Sequence, residues 1–186
     1  RERRASAGVA GALRWCGLAR SRREEGEPDP RAGGAAQASV VGGAHPRVPA
    51  SWAIPLPSGM DPSTSMRLGT AGLTAGLCVD VLLKNGLEVD HGEVLVTGST
   101  GGVGIIAIGI VAKLGFRVIA STGKPEAEQM LKTMGASEII DRNELSESSS
   151  RPLLAERWAA AVDVVGGDTL FNVIKGLKYG GSVAAC

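Results

Sequence analysis

Charge of one sign, clustered cysteines and long apolar runs are all scarce in this sequence. Acids and bases nearly cancel, leaving a formal net charge of +1 over 186 residues. No field of one sign is available to gather nucleic acid or an anionic membrane, so neither is expected as a partner and a small molecule is the better expectation. Cys16, Cys78 and Cys186 stand far apart and form no CxxC or Cys/His pattern. That argues against structural zinc and fits a reducing, cytoplasmic compartment. His45 and His91 are the only histidines, and no metal centre is expected. The longest apolar run, Val103 to Ala112, falls well short of the roughly 20 residues a bilayer requires and reads as a buried helix. Arg1 to Ala19 resembles a targeting segment only faintly, because Arg14 interrupts its apolar part and the acidic EEGEPD follows.

A change of character falls near residue 47. The first 47 residues hold nine arginines and no Lys, Ile, Phe, Tyr or Thr, whereas the remainder holds six lysines, five arginines and nine isoleucines. The early segment also carries eight glycines, an EPDPR turn cluster and no sustained helical or strand period. It has little to offset its ordering entropy and is expected to be irregular or disordered. Because it begins with Arg, it also invites reading as a translated piece of a longer protein or as sequence read in the wrong frame.

Residues 48 to 186 have the pattern of a globular α/β domain. VPASWAIPLPSGM is extended, since each residue before a proline is pushed out of the helical region. Asp61-Pro62 opens a helix as N-cap and first helical residue. Leu73 to Leu83 forms a second, closed by Asn85-Gly86. The elements then alternate: strand Val94 to Thr97, helix Val103 to Leu114, strand Phe116 to Ala120, helix Pro125 to Met134 and strand Glu138 to Ile140. A polar loop with a serine run, a short helix around Leu153 to Trp158, strand Val162 to Val165, helix Thr169 to Leu177 and strand Ser182 to Ala185 complete the series. Such alternation implies right-handed crossovers and a doubly wound parallel sheet of about five strands.

Between the first of these strands and its helix lie Gly98, Gly101, Gly102 and Gly104. A dinucleotide's pyrophosphate needs a tight turn, close backbone approach and the free N–H groups of a helix start at that place. Strand, turn, helix and second strand are in register, which points to a Rossmann-type dinucleotide site. The absence of a GK[ST] ending excludes a P-loop. An NAD-specific site would place Asp or Glu at the end of the second strand, to bind the ribose 2′-hydroxyl. Here the residues are Ala120-Ser121-Thr122-Gly123-Lys124. No acid would repel a 2′-phosphate, Thr122 and Gly123 can donate hydrogen bonds, and Lys124 brings positive charge, so NADPH is the expected cofactor. Thr97 to Gly104 also fits the TGxxxGxG of short-chain dehydrogenases. Their catalysis needs Tyr-x-x-x-Lys, and the only tyrosine, Tyr179, is followed four residues later by Val183.

Read in order, GTAGLTAGLCV, VTGSTGGVG, ASTGK, LKTMGAS, WAAAVDVVGG and YGGSVAAC resemble the nucleotide-binding domain of the medium-chain dehydrogenase/reductase superfamily. Within it the likeness is to the zinc-independent acrylyl-CoA reductase or putative quinone oxidoreductase group, over roughly Val48 to Cys186. The resemblance implies that Thr100, Gly101, Gly102 and Val103 hold the pyrophosphate and that Thr122, Gly123 and Lys124 hold the 2′-phosphate. It places Arg142 toward the adenosine phosphate end and Thr70 and Thr74 toward the nicotinamide. It further implies an NADPH-dependent reductase acting on an enone, a quinone or an acyl-CoA thioester, in enzymes that often dimerise. The GroES-like barrel and the sixth strand of that family have no counterpart in these residues. A non-catalytic NADPH-binding module is therefore the alternative expectation, and no catalytic residue is assigned.

Overall fold

The structure is a computed structural model that describes residues 55–146 and 152–186. The arginine-rich early segment, most of the proline-punctuated stretch and the serine run lie outside these residues. Two compact units meet in the chain between Thr70 and Ala71.

The first helix, α1 (Pro62–Lys84), is interrupted at Gly69, whose backbone is non-helical at φ 43, ψ −143. The interruption accounts for the two helices expected there. Asp61 opens α1, its carboxylate accepting the Thr64 N–H at 3.0 Å. Hydrogen bonding from Thr64, through its hydroxyl first and then its N–H, lowers the Asp61 pKa. By length and apolarity α1 could cross a membrane, alone among the described helices. Its Ala75, Cys78, Val79 and Leu82 are instead buried in the core of the sheet-bearing unit.

That unit contains β1 (Glu93–Val96), α2 (Gly102–Lys113), β2 (Arg117–Thr122), α3 (Glu128–Thr133), β3 (Glu138–Asp141), α4 (Asn143–Ser146), β4 (Trp158–Asp163), α5 (Gly167–Lys175) and β5 (Leu177–Ala185). The five strands are ordered β3-β2-β1-β4-β5, and every neighbouring pair is parallel. After β1 the chain builds outward to β2 and β3, then returns to build β4 and β5 on the other side. The switch point is therefore at β1, where ligands of doubly wound sheets bind beyond the strands' carboxyl ends.

Alternation along each central strand divides the core in two. Val94 and Val96, Val118 and Ala120, and Ala160 and Val162 pack with α1 and α2. Leu95, Ile119 and Ala161 face the other way, with Ile140, Leu145, Trp158 and Val173. A sheet buried on both faces needs apolar residues at successive positions, which is why these strands read as continuous hydrophobic runs.

Three expectations need correction. No helix forms around Leu153 to Trp158: residues 153–157 are irregular and Trp158 begins β4. The Leu154 N–H donates to the Lys175 carbonyl at 3.0 Å and the Arg157 N–H to that of Gly176 at 2.8 Å, so this backbone is satisfied by the end of α5. Strand β4 accordingly starts at Trp158, because alanines that look strand-poor fit a position covered on both faces. Strand β5 starts at Leu177, ahead of the expected Ser182, but bulges: β4 advances from Trp158 to Ala160 while its partner advances from Leu177 to Ser182.

At the amino ends of the strands four side chains close a ring. Arg117 meets Glu93 and Glu138, each at 3.2 Å. Arg157 meets the same two carboxylates at 3.0 and 2.7 Å, and its guanidinium lies 4.3 Å from the Trp158 ring centre. The hydrogen bond from Arg157 is the largest influence on Glu138 and holds its pKa below the usual value, outweighing partial desolvation.

Candidate functional site

The opposite, carboxyl end of the sheet carries the glycine turn. Gly98 sits at φ +57, and a Cβ there would strike the Val164 side chain. At Gly104 a Cβ would lie 2.5 Å from the Gly98 carbonyl and 2.8 Å from the Ser99 Cα, so only glycine lets α2 seat directly on the turn. The Ser99 hydroxyl donates to the Val96 carbonyl at 2.7 Å and its N–H to that of Ser121 at 3.2 Å. The turn is thereby tied to both β1 and β2. No side chain caps α2 at Gly101, which leaves its first-turn N–H groups and positive dipole end to serve an anion.

A cavity of about 440 Å³ extends from this turn. Thr97, Gly98 and Thr100 line it after β1, Ser121, Thr122, Gly123 and Lys124 after β2, and Arg142 after β3. Six of the residues singled out in the sequence, Gly98, Thr100, Thr122, Gly123, Lys124 and Arg142, thus face one space. Gly101, Gly102, Val103 and Gly104 belong to the turn and the first turn of α2 rather than to the cavity wall. Thr74, half-buried on α1, is not part of the wall either. Thr70 belongs to the other compact unit.

The charge of this cavity is distinctive. Lys124 and Arg142 are exposed, and neither pairs with a carboxylate among the described residues. The acids flanking Arg142 in sequence are engaged by backbone: Asp141 accepts the Asn143 N–H at 2.7 Å, and Glu144 accepts the Asp141 N–H at 3.2 Å. Thr122 braces the loop, its hydroxyl accepting the Lys124 N–H at 3.1 Å and its carbonyl the Arg142 N–H at 3.1 Å. Arg142 folds across Gly123 so closely that a Cβ at 123 would lie 2.6 Å from its Nε. A side chain at residue 123 would have to displace this arginine.

Sequence reasoning missed Thr97, Ser121, Asn143, Ser146, Val165 and Thr169, which complete the lining. The rule that ligands gather beyond carboxyl strand ends, applied to β3 and β4 as it was to β1 and β2, would have found the last four. It also missed two proximities. Cys78 and Cys186 meet side chain to side chain; burial first, and then Cys186, push the Cys78 thiol up to about 11. Both are free thiols, and Cys16 lies outside the described residues. Glu88, Asp90 and His91 gather within 4.8 Å and are all exposed, a grouping able to approach a metal ion. Glu88 and His91 already cap one another across that 3₁₀ turn. A second cavity, about 250 Å³ beside the β5 bulge, contains none of the expected site residues.

Residues 102–186 match the model of the zinc-binding dehydrogenase family. That stretch contains no histidine and one cysteine, so the family's name is not matched by a zinc-ligand set in it. The chain is 50% identical over 138 residues to acrylyl-CoA reductase AcuI of Ruegeria pomeroyi, covering 74% of this chain and 42% of that protein. The structure of the yhdH oxidoreductase from Salmonella enterica in complex with NADP superposes with a TM-score of 0.71 at 44% identity, over 76% of this chain and 43% of that one. Bacillus subtilis yhfP with NAD bound gives 0.70 at 46% identity, over 74% and 42%. The chain thus spans about two fifths of the length of these relatives. Sheet order, glycine turn and these likenesses agree on a Rossmann-type nucleotide-binding domain like that of the medium-chain dehydrogenases/reductases.

Proposed function

We propose that residues 48–186 bind NADPH and supply the cofactor half of a zinc-independent reductase. Its hydride passes to the β-carbon of an α,β-unsaturated acyl-CoA thioester such as acrylyl-CoA, or to an enone or quinone. The observation that carries the cofactor is the pair Lys124 and Arg142, two cations without carboxylate partners among the described residues, at the strand ends where an acid would exclude a 2′-phosphate. A phosphate dianion supplies the missing partner, with bidentate geometry available at the guanidinium. Gly98 to Gly104 receives the pyrophosphate, and the Thr122 and Gly123 segment receives the ribose. The yhdH relative was solved with NADP and yhfP with NAD, so the preference is one of degree.

The substrate class rests on the relatives' names, acrylyl-CoA reductase and putative quinone oxidoreductase. Hydride addition to such an acceptor leaves an enolate that needs an oxyanion donor and a proton. The described residues of this chain are assigned neither role. Titration of the chain with NADPH and NADH, read by cofactor fluorescence, is expected to show NADPH binding tighter by about tenfold or more, the worth of one charge-assisted contact. Failure to bind either dinucleotide overturns the reading. An assay of NADPH consumption with acrylyl-CoA, a simple enone and a quinone then separates two outcomes. Turnover supports the reductase, and binding without turnover supports a non-catalytic NADPH-binding module.

A further inference from the structure

Asp163, at the end of β4, is 1% exposed. Both oxygens of its carboxylate act as acceptors. The Thr97 hydroxyl donates to one at 2.6 Å, and the Gly166 N–H donates to the other at 2.8 Å. Thr97 in turn accepts the Val164 N–H at 3.1 Å, while its own N–H donates to the Val162 carbonyl at 3.0 Å. The Asp163 carbonyl accepts the Cys186 N–H, also at 3.0 Å. The buried carboxylate thus ties the end of β1 to the turn after β4 at the switch point. A buried carboxylate is costly even when hydrogen-bonded, and a neutral residue would close an ordinary turn more cheaply.

What it restrains is the segment after β4. Gly166 stands at φ 76, ψ −163 and precedes α5 with no side-chain cap of its own, so the carboxylate is what fixes this glycine turn. Val165 within it and Thr169 just beyond it line the same cavity as Gly98 and Thr100. In the sheet order they stand on the β4 side of the switch point, away from Lys124 and Arg142 on the β2 and β3 side.

We propose that Asp163, acting with Thr97, is a positioning residue for the nicotinamide half of the dinucleotide, holding the Val164 to Gly167 turn as a preformed wall of the crevice. The inference rests on the NADPH reading above. A wall set before the cofactor arrives spares binding the cost of ordering a two-glycine turn. The adenosine 2′-phosphate end lies beyond the reach of this device.

The test compares NADPH with adenosine 2′,5′-bisphosphate, which carries only that end, on the 186-residue chain. Thr97→Val keeps the shape of the side chain and removes the hydroxyl. Its Kd for NADPH is expected to rise about tenfold, in line with a lost hydrogen bond to a charged group, while that for the bisphosphate moves less than about twofold. Thr97→Ser restores the hydroxyl and is expected to bind both like the wild type. Asp163→Asn, which satisfies one link only by reversing the other, is expected to follow Thr97→Val. Should Asp163→Asn fail to fold, the Thr97 pair decides alone. Equal weakening of both ligands, or unchanged NADPH binding by Thr97→Val, overturns the proposal. Failure of the wild-type chain to bind NADPH overturns the underlying reading instead.

Discussion

Two ends of one parallel sheet answer their cations differently. At the amino end Arg117 and Arg157 each meet two glutamates, and Glu93 and Glu138 each meet two arginines. At the carboxyl end Lys124 and Arg142 share a cavity with hydroxyls and glycines and meet no described carboxylate. A closed ring of opposite charges is satisfied by the fold alone. Two solvent-exposed cations without a carboxylate partner, beside an uncapped helix start, are free to meet an anion that arrives. The same side-chain chemistry therefore serves cohesion at one end and recognition at the other, and the partners present distinguish them.

Reversing the charge at the recognition end should produce the largest effect. Lys124→Glu is expected to raise the Kd for NADPH roughly a hundredfold, by losing one charge-assisted contact and adding repulsion. NADH, without the 2′-phosphate, should change little. Equal loss for both dinucleotides in fluorescence titrations would separate Lys124 from phosphate recognition. Gly123→Ala is expected to act more mildly. The displaced group is a flexible arginine side chain, so the melting temperature should barely move while NADPH affinity falls about tenfold as Arg142 leaves its place. An unchanged NADPH-to-NADH ratio would show that the guanidinium does not need this position.

The smallest effect belongs to the cohesion end. Glu138 is 38% exposed at its side chain, so after solvent screening Glu138→Gln should cost only about 1 kcal/mol, with NADPH affinity intact. The pH sense follows from its lowered pKa. Its stabilising part is fully present above the ordinary glutamate value of 4.5 and is lost as pH falls through the lower folded value. Thermal melts of the wild type and Glu138→Gln should therefore differ at neutral pH and converge in acid. A difference that persists unchanged in strong acid would place the effect outside this ionisation.

Local features were legible in the residues. The glycine turn declares itself because Gly104 answers contacts made within a few positions and Gly98 takes a positive φ, and the apolar run of α2 is unbroken. That Lys124 and Arg142 share one cavity was implied by the family resemblance alone, and the order of strands supplies the reason, since β2 and β3 become neighbours only when the sheet forms. Residues 153–157 misled because their backbone partners, the Lys175 and Gly176 carbonyls, come later in the chain. Strand β4 was half hidden, since alanine signals strand weakly until both faces are covered. Asp163 gave no separate signal, because its partner Thr97 lies 66 residues earlier.

The contact between Arg142 and Gly123 also restricts the order in which cofactor preference can be rebuilt. The acid that would favour a 2′-hydroxyl belongs at the loop after β2, but a side chain introduced at 123 finds an arginine already lying there. A route that changes residue 123 first must displace that arginine before an acid there can reach the ribose. A route that shortens Arg142 first opens the space and then fills it. Selection for NADH, in the laboratory or elsewhere, is thus expected to recover changes at 142 before changes at 123.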